Sequence, residues 1–192
     1  MVARIGERGL EAALAAGRVA CPDCAGSLRP WGFAREREVR MRHGGRLVRP
    51  RRGYCRRCKR SHVLLPAFCV PRRRDSAEVI GVALLASASG EGHRTIAARL
   101  DRPPGTVRGW VRAFSRRSDA LQCCGVRWAV ALGDPPARRP SVAPFADALE
   151  ALAWAARAWV LRFGHQASIW ELIVAVCGGG LLHGRPRDPP GY

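Results

Sequence analysis

Two Cys-x-x-Cys pairs constrain this chain more than any other feature: Cys21-Pro22-Asp23-Cys24 and Cys55-Arg56-Arg57-Cys58. A turn of this kind presents two sulfurs to one side of a metal ion, and a second turn completes a tetrahedral cage of the type zinc prefers. The pairs are separated by 30 residues, more than the commonest interval of about 15–20. A hairpin must therefore fill the interval, and Val39–Arg42 and Arg46–Val48 around His43-Gly44-Gly45 are suited to form it. Four cysteine ligands close a site to substrate. The expected cofactor is thus a single structural Zn2+ held by Cys21, Cys24, Cys55 and Cys58. His62, four residues after Cys58, is an alternative ligand. A pair of redox dithiols is the competing reading, but the βαβ pattern that accompanies such motifs is missing.

The other cysteines carry no such pattern. Cys69, Cys123, Cys124 and Cys177 are expected as buried or structural thiols. His43, His93, His165 and His183 lack partners at ligand spacing. Eight cysteines in all would suit a secreted disulfide framework, but Glu11 and Arg18 interrupt the N-terminal apolar stretch. The expectation is a reducing, cytoplasmic and nucleoid-associated setting.

Charge points to the partner. The chain carries net charge +18 over 192 residues. Residues 1–75 hold +13 of it and residues 76–118 hold +4, whereas residues 119–192 hold only +1. A basic composition alone would not be confined to the first two thirds. A polyanion is expected there, double-stranded DNA in particular. No uninterrupted apolar run of 18 residues exists, so no membrane partner is expected. Arg49, Arg51, Arg52, Arg56, Arg57 and Arg60 cluster around the second cysteine pair and are expected to contact phosphates. Trp31, Phe33 and Tyr54 interleave with these arginines. Trp31 and Phe33 are expected in the core of the small module, with stacking on bases as the alternative.

Residues 75–118 are helical in pattern. Asp75 precedes Glu78 by three, an acidic variant of a capping box. The segment from Ser76 to about Ser87 is apolar nearly all round and is expected to be central. Ile96, Ala97 and Leu100 mark one face of a second helix. Val107, Trp110, Val111 and Phe114 mark one face of a third, at i, i+3, i+4 and i+7. The opposite face shows Gly105, Arg108, Gly109, Arg112 and Arg116, with Thr106 near its start. A helix with a free positive N-terminus and long exposed cations has what groove reading requires. Arg102, Gly105, Thr106, Arg108, Arg112 and Arg116 are therefore the expected DNA contacts.

The stretches CPDC, LRPWGFARER, RPRRGYCRRCKRSHVLLPAF and AEVIGVALLASASGEGHRTIAARLDRPPGTVRGWVRAF together resemble an actinobacterial family of zinc-ribbon and helix-turn-helix proteins. They are also similar to the N-terminal recognition region of bacterial insertion-sequence transposases. The resemblance covers about residues 18–118. It implies DNA binding, with the four cysteines as metal ligands and residues 102–116 as the reading helix. The chain departs from a transposase after Phe114, where fewer than 80 residues remain and read as helices, too few for a carboxylate-triad catalytic core.

The expected fold is mainly α with a small β zinc ribbon. Residues 18–71 form the ribbon and residues 75–118 the helix-turn-helix. A linker follows over 119–144 (its Pro-rich part at 133–144), then a helical region over 145–183 and a mobile tail over 184–192. Trp154, Trp159 and Trp170 serve a core or an oligomer interface. The expected function is non-enzymatic DNA binding, as a transcriptional regulator or mobile-element accessory protein that pairs with itself or with a transposase or recombinase. The alternatives are a transposase remnant or subunit lacking its catalytic domain, and a zinc-ribbon adaptor for RNA or protein.

Overall fold

The computed structural model describes residues 7–135, 143–164 and 167–189. It is mixed α/β. A short helix α1 (Glu7–Ala15) leads into five strands, β1 (Leu28–Phe33), β2 (Arg37–Arg40), β3 (Gly45–Val48), β4 (Arg51–Cys55) and β5 (Arg60–Leu64). Six helices follow: α2 (Ala77–Ala88), α3 (His93–Leu100), α4 (Pro104–Ser115), α5 (Ser118–Ala131), α6 (Pro144–Phe163) and α7 (Ile169–Val176). Helix α1 stops just before Gly17, whose φ of +68° is the left-handed conformation that favours a helix C-terminus.

The strands make two antiparallel sheets, β1-β4-β5 and the hairpin β2-β3. The hairpin turns at His43-Gly44-Gly45 as its glycines predict, with Arg40 opposite Gly45 and Val39 opposite Arg46. Strands β1 and β4 carry no alternating pattern and were not legible as strands. Pro30 in β1 is tolerated because β1 lies at the sheet edge, where a missing N–H costs no ladder bond.

Two apolar cores result, and they do not follow chain order. Leu10, Ala13, Leu14, Val19, Leu28 and Leu64 pack with Cys21 and Cys55 between α1 and β1-β4-β5. The larger core contains the buried faces of α2 through α7, and also Val39 and Val48 of the β2-β3 hairpin with Leu65, Phe68 and Val70. The hairpin between the cysteine pairs thus packs with the helices.

Three expectations are corrected. The span 119–144 is not simply a linker, because Ser118–Ala131 is helix α5. Its Gly125 lets α6 approach so closely that a Cβ there would sit 2.5 Å from the Ala151 carbonyl carbon. The Pro-rich part of that span, at 136–142, lies outside the described residues. The tail is docked rather than free. Pro186 and Pro189 are buried, the Arg187 carbonyl accepts bonds from Trp128 Nε1 (2.9 Å) and Cys124 Sγ (3.2 Å), and Arg127 pairs with Asp188 at 2.8 Å. His183 Nε2 lies 2.7 Å from the Pro71 carbonyl. Residues 190–192 and His165 lie outside the described residues. Finally, the cap of α2 is Ser76, whose Oγ accepts from the Val79 amide at 3.3 Å. Asp75 is engaged elsewhere.

No described helix is long and apolar enough to cross a membrane.

Candidate metal centre and basic surface

Each cysteine pair sits on a tight turn that folds its own amides toward its sulfurs. In the first, the Cys21 amide donates to the Gly26 carbonyl at 2.6 Å and the Ala25 amide to the Cys21 carbonyl at 3.0 Å. Ala25 and Lys59, each directly after the second cysteine of its pair, adopt left-handed φ of 58° and 57°. The two turns therefore close on the same left-handed step. Antiparallel pairing then places Leu28 opposite Cys55, which carries one turn to the other. The ion pair from Arg60 to Asp23 at 3.0 Å and the bond from Arg57 to the Cys24 carbonyl at 3.3 Å tie them together.

The four expected ligands converge. Cys21 Sγ is 3.6 Å from Cys58 Sγ, and Cys24 Sγ is 3.5 Å from Cys55 Sγ. All four sulfurs lie within 4.8 Å of one another. A tetrahedron with metal–sulfur bonds of about 2.3 Å has edges of about 3.8 Å, so the cluster fits one ion.

Electrostatics agree with the geometry. The Cys58 amide, aided by the Cys24 thiol, lowers the Cys55 thiol to about 7 against the effect of desolvation. Desolvation pushes Cys58 up to about 12. The Gly26 amide acts to lower Cys24, but desolvation and the Cys55 and Cys21 sulfurs carry it upward. Thiolates packed this closely oppose one another's ionisation, and a bound cation reverses that opposition.

His62 is not one of the four converging ligands. Its Nε2 lies 3.4 Å from Cys21 Sγ, a position from which the ring can orient that sulfur. Desolvation lowers the His62 pKa. Asp23, Cys58 and His62 also bring ligand atoms within 4.8 Å, but this set shares Cys58 with the first and its carboxylate is held by Arg60. Cys69, Cys124 and Cys177 are buried and Cys123 is exposed.

The basic residues divide into engaged and free ones. Arg102, an expected DNA contact, is only 10% exposed and is fully engaged within the fold. Its Nε donates to Asp75 Oδ1 at 2.6 Å, Nη2 to the Met41 carbonyl at 3.0 Å, and Nη1 to the Leu100 and Asp101 carbonyls. Asp75, 2% exposed, also accepts from Arg40 at 2.8 Å. One buried carboxylate therefore joins β2 to the α3–α4 turn. Two arginines converge on it because it is the lone acid in a long basic segment, which is the cue that could have revealed it.

Arg51 likewise serves the fold. It is 14% exposed, makes a bidentate pair with Glu11 and lies 4.6 Å from the Phe33 ring centroid. Arg52 donates to Ser61 Oγ at 2.7 Å. Arg49, stacked 5.2 Å from Phe33, remains exposed, as do Arg56 and Arg57.

On α4 the pattern is as expected. Val107, Trp110 and Phe114 are buried with Ala113, and Val111 is half-buried, while Gly105, Arg108, Gly109, Arg112 and Arg116 are exposed and Thr106 is half-buried. Trp31 and Phe33, expected in the core, are instead 54% and 51% exposed. The small core is filled by α1, leaving no place for them.

Arg187 approaches the cysteine cluster from the docked tail. Burial lowers its pKa, and the charges of Asp23 and Cys21 act in the opposite direction. Nothing in the sequence pattern placed the tail there.

No curated protein and no solved structure matches this chain. Residues 21–102 match a family model described as a domain of unknown function (DUF6431), a span that opens at the first cysteine of the cluster and closes at the arginine clamped on Asp75.

Proposed function

We propose that this chain is a non-enzymatic DNA-binding protein. A structural Zn2+ held by Cys21, Cys24, Cys55 and Cys58 closes a ribbon, and α2–α4 act as a helix-turn-helix with α4 as the groove-reading helix. Its role would be transcriptional regulation or accessory work in a mobile element. The observation that carries this reading is the split character of α4, with Trp110 and Phe114 buried on one side and Arg108, Arg112 and Arg116 exposed with Gly105 and Gly109 on the other.

Several features support it. Gly105 and Gly109 have nothing within 4 Å of where a Cβ would lie, so the backbone of α4 can approach a groove closely. The α4 N-terminus offers the positive end of its dipole to phosphate. Arg56, Arg57 and Lys59 are exposed on the second cysteine turn, adding a second set of cations. Zinc suits the all-thiolate donor set and would supply folding free energy rather than chemistry, since four ligands leave no open position. With Arg102 and Arg51 held within the fold, the DNA contacts narrow to Gly105, Thr106, Arg108, Arg112 and Arg116, with Arg49, Arg52, Arg56 and Arg57.

The test is duplex binding as a function of salt. Wild-type protein is expected to bind duplex DNA with a steep salt dependence. Arg108→Ala with Arg112→Ala should weaken it and flatten the salt slope by about one for each phosphate no longer neutralised. Unchanged binding by the double variant, at unchanged metal content, would refute the assignment of α4.

A further inference from the structure

The outward face of the three-stranded sheet presents a second surface of different chemistry. Residues directly opposite each other in antiparallel strands share a face. Leu28, Cys55 and Leu64 point into the small core. By register Arg29, opposite Tyr54, which is opposite Ser61, lies on the other side, as does Arg52, opposite Val63. Both give one N–H to the fold, Arg29 to the Ala15 carbonyl at 3.2 Å and Arg52 to Ser61 Oγ at 2.7 Å, and Arg29 stays exposed. Trp31 joins them, stacked on Tyr54 with ring centroids 4.8 Å apart and planes 28° apart. One face of the indole is covered by Tyr54, yet Trp31 is 54% exposed, so its other face is open. Val63, opposite Arg52 on β5, is 37% exposed on the same face.

Charge selects the occupant. None of β1, β4 and β5 contains a carboxylate, and the outward face holds Arg29 and Arg52, whereas Arg51 and Arg60 lie on the other side and pair with Glu11 and Asp23. Exposed Arg56 and Arg57 continue the positive surface at the β4–β5 turn. An open aromatic face flanked by cations matches a base flanked by phosphates. A paired duplex cannot meet it, because stacking hides the faces of its bases. The helix α4 supplies a groove reader with no aromatic on its exposed face, so the two surfaces suit different states of DNA.

We propose that the outward face of β1-β4-β5 binds an unpaired segment of DNA, with a base stacked on Trp31 and its phosphates on Arg29 and Arg52. The choice of DNA rests on the function proposed above, and the protein would then grip a site where duplex and single strand meet.

Fluorescence anisotropy with the full chain tests this, using a blunt duplex, the same duplex carrying a single-stranded overhang of about ten nucleotides, and the overhang strand alone. The overhang substrate should bind more tightly than the blunt duplex. Trp31→Ala should weaken binding to the overhang substrate and the free strand by about tenfold, the loss of one stacked base, while leaving the blunt duplex unchanged. Trp31→Phe should restore most of the affinity. Equal binding of overhang and blunt duplex would overturn the proposal. So would a Trp31→Ala effect that is absent, or equal on every substrate. If the wild type binds the free strand through Trp31 but no duplex, the groove-reading assignment of α4 fails and the stacking surface stands. A matching RNA strand bound more tightly, with the same dependence on Trp31, would overturn the choice of DNA.

Discussion

The small core and the large one are stabilised by different means. Around the cysteine cluster, eight buried side chains including two ligands form the whole apolar interior among the described residues, whereas thirty-four do so among the helices. A module with so few apolar side chains depends on an added cross-link, while a core containing Trp110, Phe114, Trp128 and Trp170 does not. The boundary between them is physical rather than sequential. The β2-β3 hairpin lies between the two cysteine pairs in the chain, yet Val39 and Val48 are buried with the helices. Asp75 then holds that hairpin to the α3–α4 turn through Arg40 and Arg102.

Removing the proposed zinc should have the largest effect and should separate the two regions. Structural zinc is worth about 10–16 kcal/mol of apparent binding free energy, much of it folding free energy. Chelation, or Cys55→Ser, is expected to unfold α1 with β1, β4 and β5 while α2–α7 and the docked β2-β3 hairpin persist. Hydrogen exchange gives the measurement: Tyr54 and Arg60 amides should lose protection and the Val39 amide should keep it. Loss of protection at Val39 as well would show that the two cores fold as one. Metal quantification on protein never exposed to chelator should give one zinc per chain.

Asp75→Ala comes next. It leaves the 10%-exposed Arg102 without its carboxylate, and breaking a buried pair by removing one partner costs about 3–5 kcal/mol. Denaturant unfolding should show the loss. Because Asp75 joins the hairpin to the helices, the large core should weaken while the metal stoichiometry is retained.

The smallest effect is expected at Lys59. A non-glycine residue in the left-handed region costs roughly 1–2 kcal/mol, and Lys59 is exposed there with φ of 57°. Lys59→Gly should stabilise the metal-dependent module by up to about 1 kcal/mol after the added flexibility of glycine in the unfolded chain is counted. The gain should be confined to the small core, read as slower metal release to a chelator at unchanged stability of the helices.

Much of this could be read in advance where the determinants are local. Helix α4 begins at Pro104 because proline suits a first turn, and its buried stripe at Val107, Trp110 and Phe114 follows from helical spacing. The hairpin turn at Gly44-Gly45 is of the same kind. Strands β1 and β4 were hidden because LRPWGF and RRGYC hold no period of two, and they exist as strands because the cysteine turns bring them into register. Helix α5 was hidden within a span read as linker, since its amphipathicity is weak and its place is settled by the close approach to α6 at Gly125.

The amino-acid order alone determined which four cysteines could hold a metal ion, the helical pattern of residues 76–116 and the concentration of positive charge in the first two thirds of the chain. These depend on side-chain chemistry and short-range spacing, which any unfolded segment already carries. Only the tertiary structure decided which arginines are free. Arg102 and Arg108 look alike in the chain, but one meets a buried carboxylate contributed by a residue 27 positions away while the other meets solvent. It also decided that Trp31 faces outward and that the tail docks. Burial is a property of the packed whole, and no window of the chain contains it.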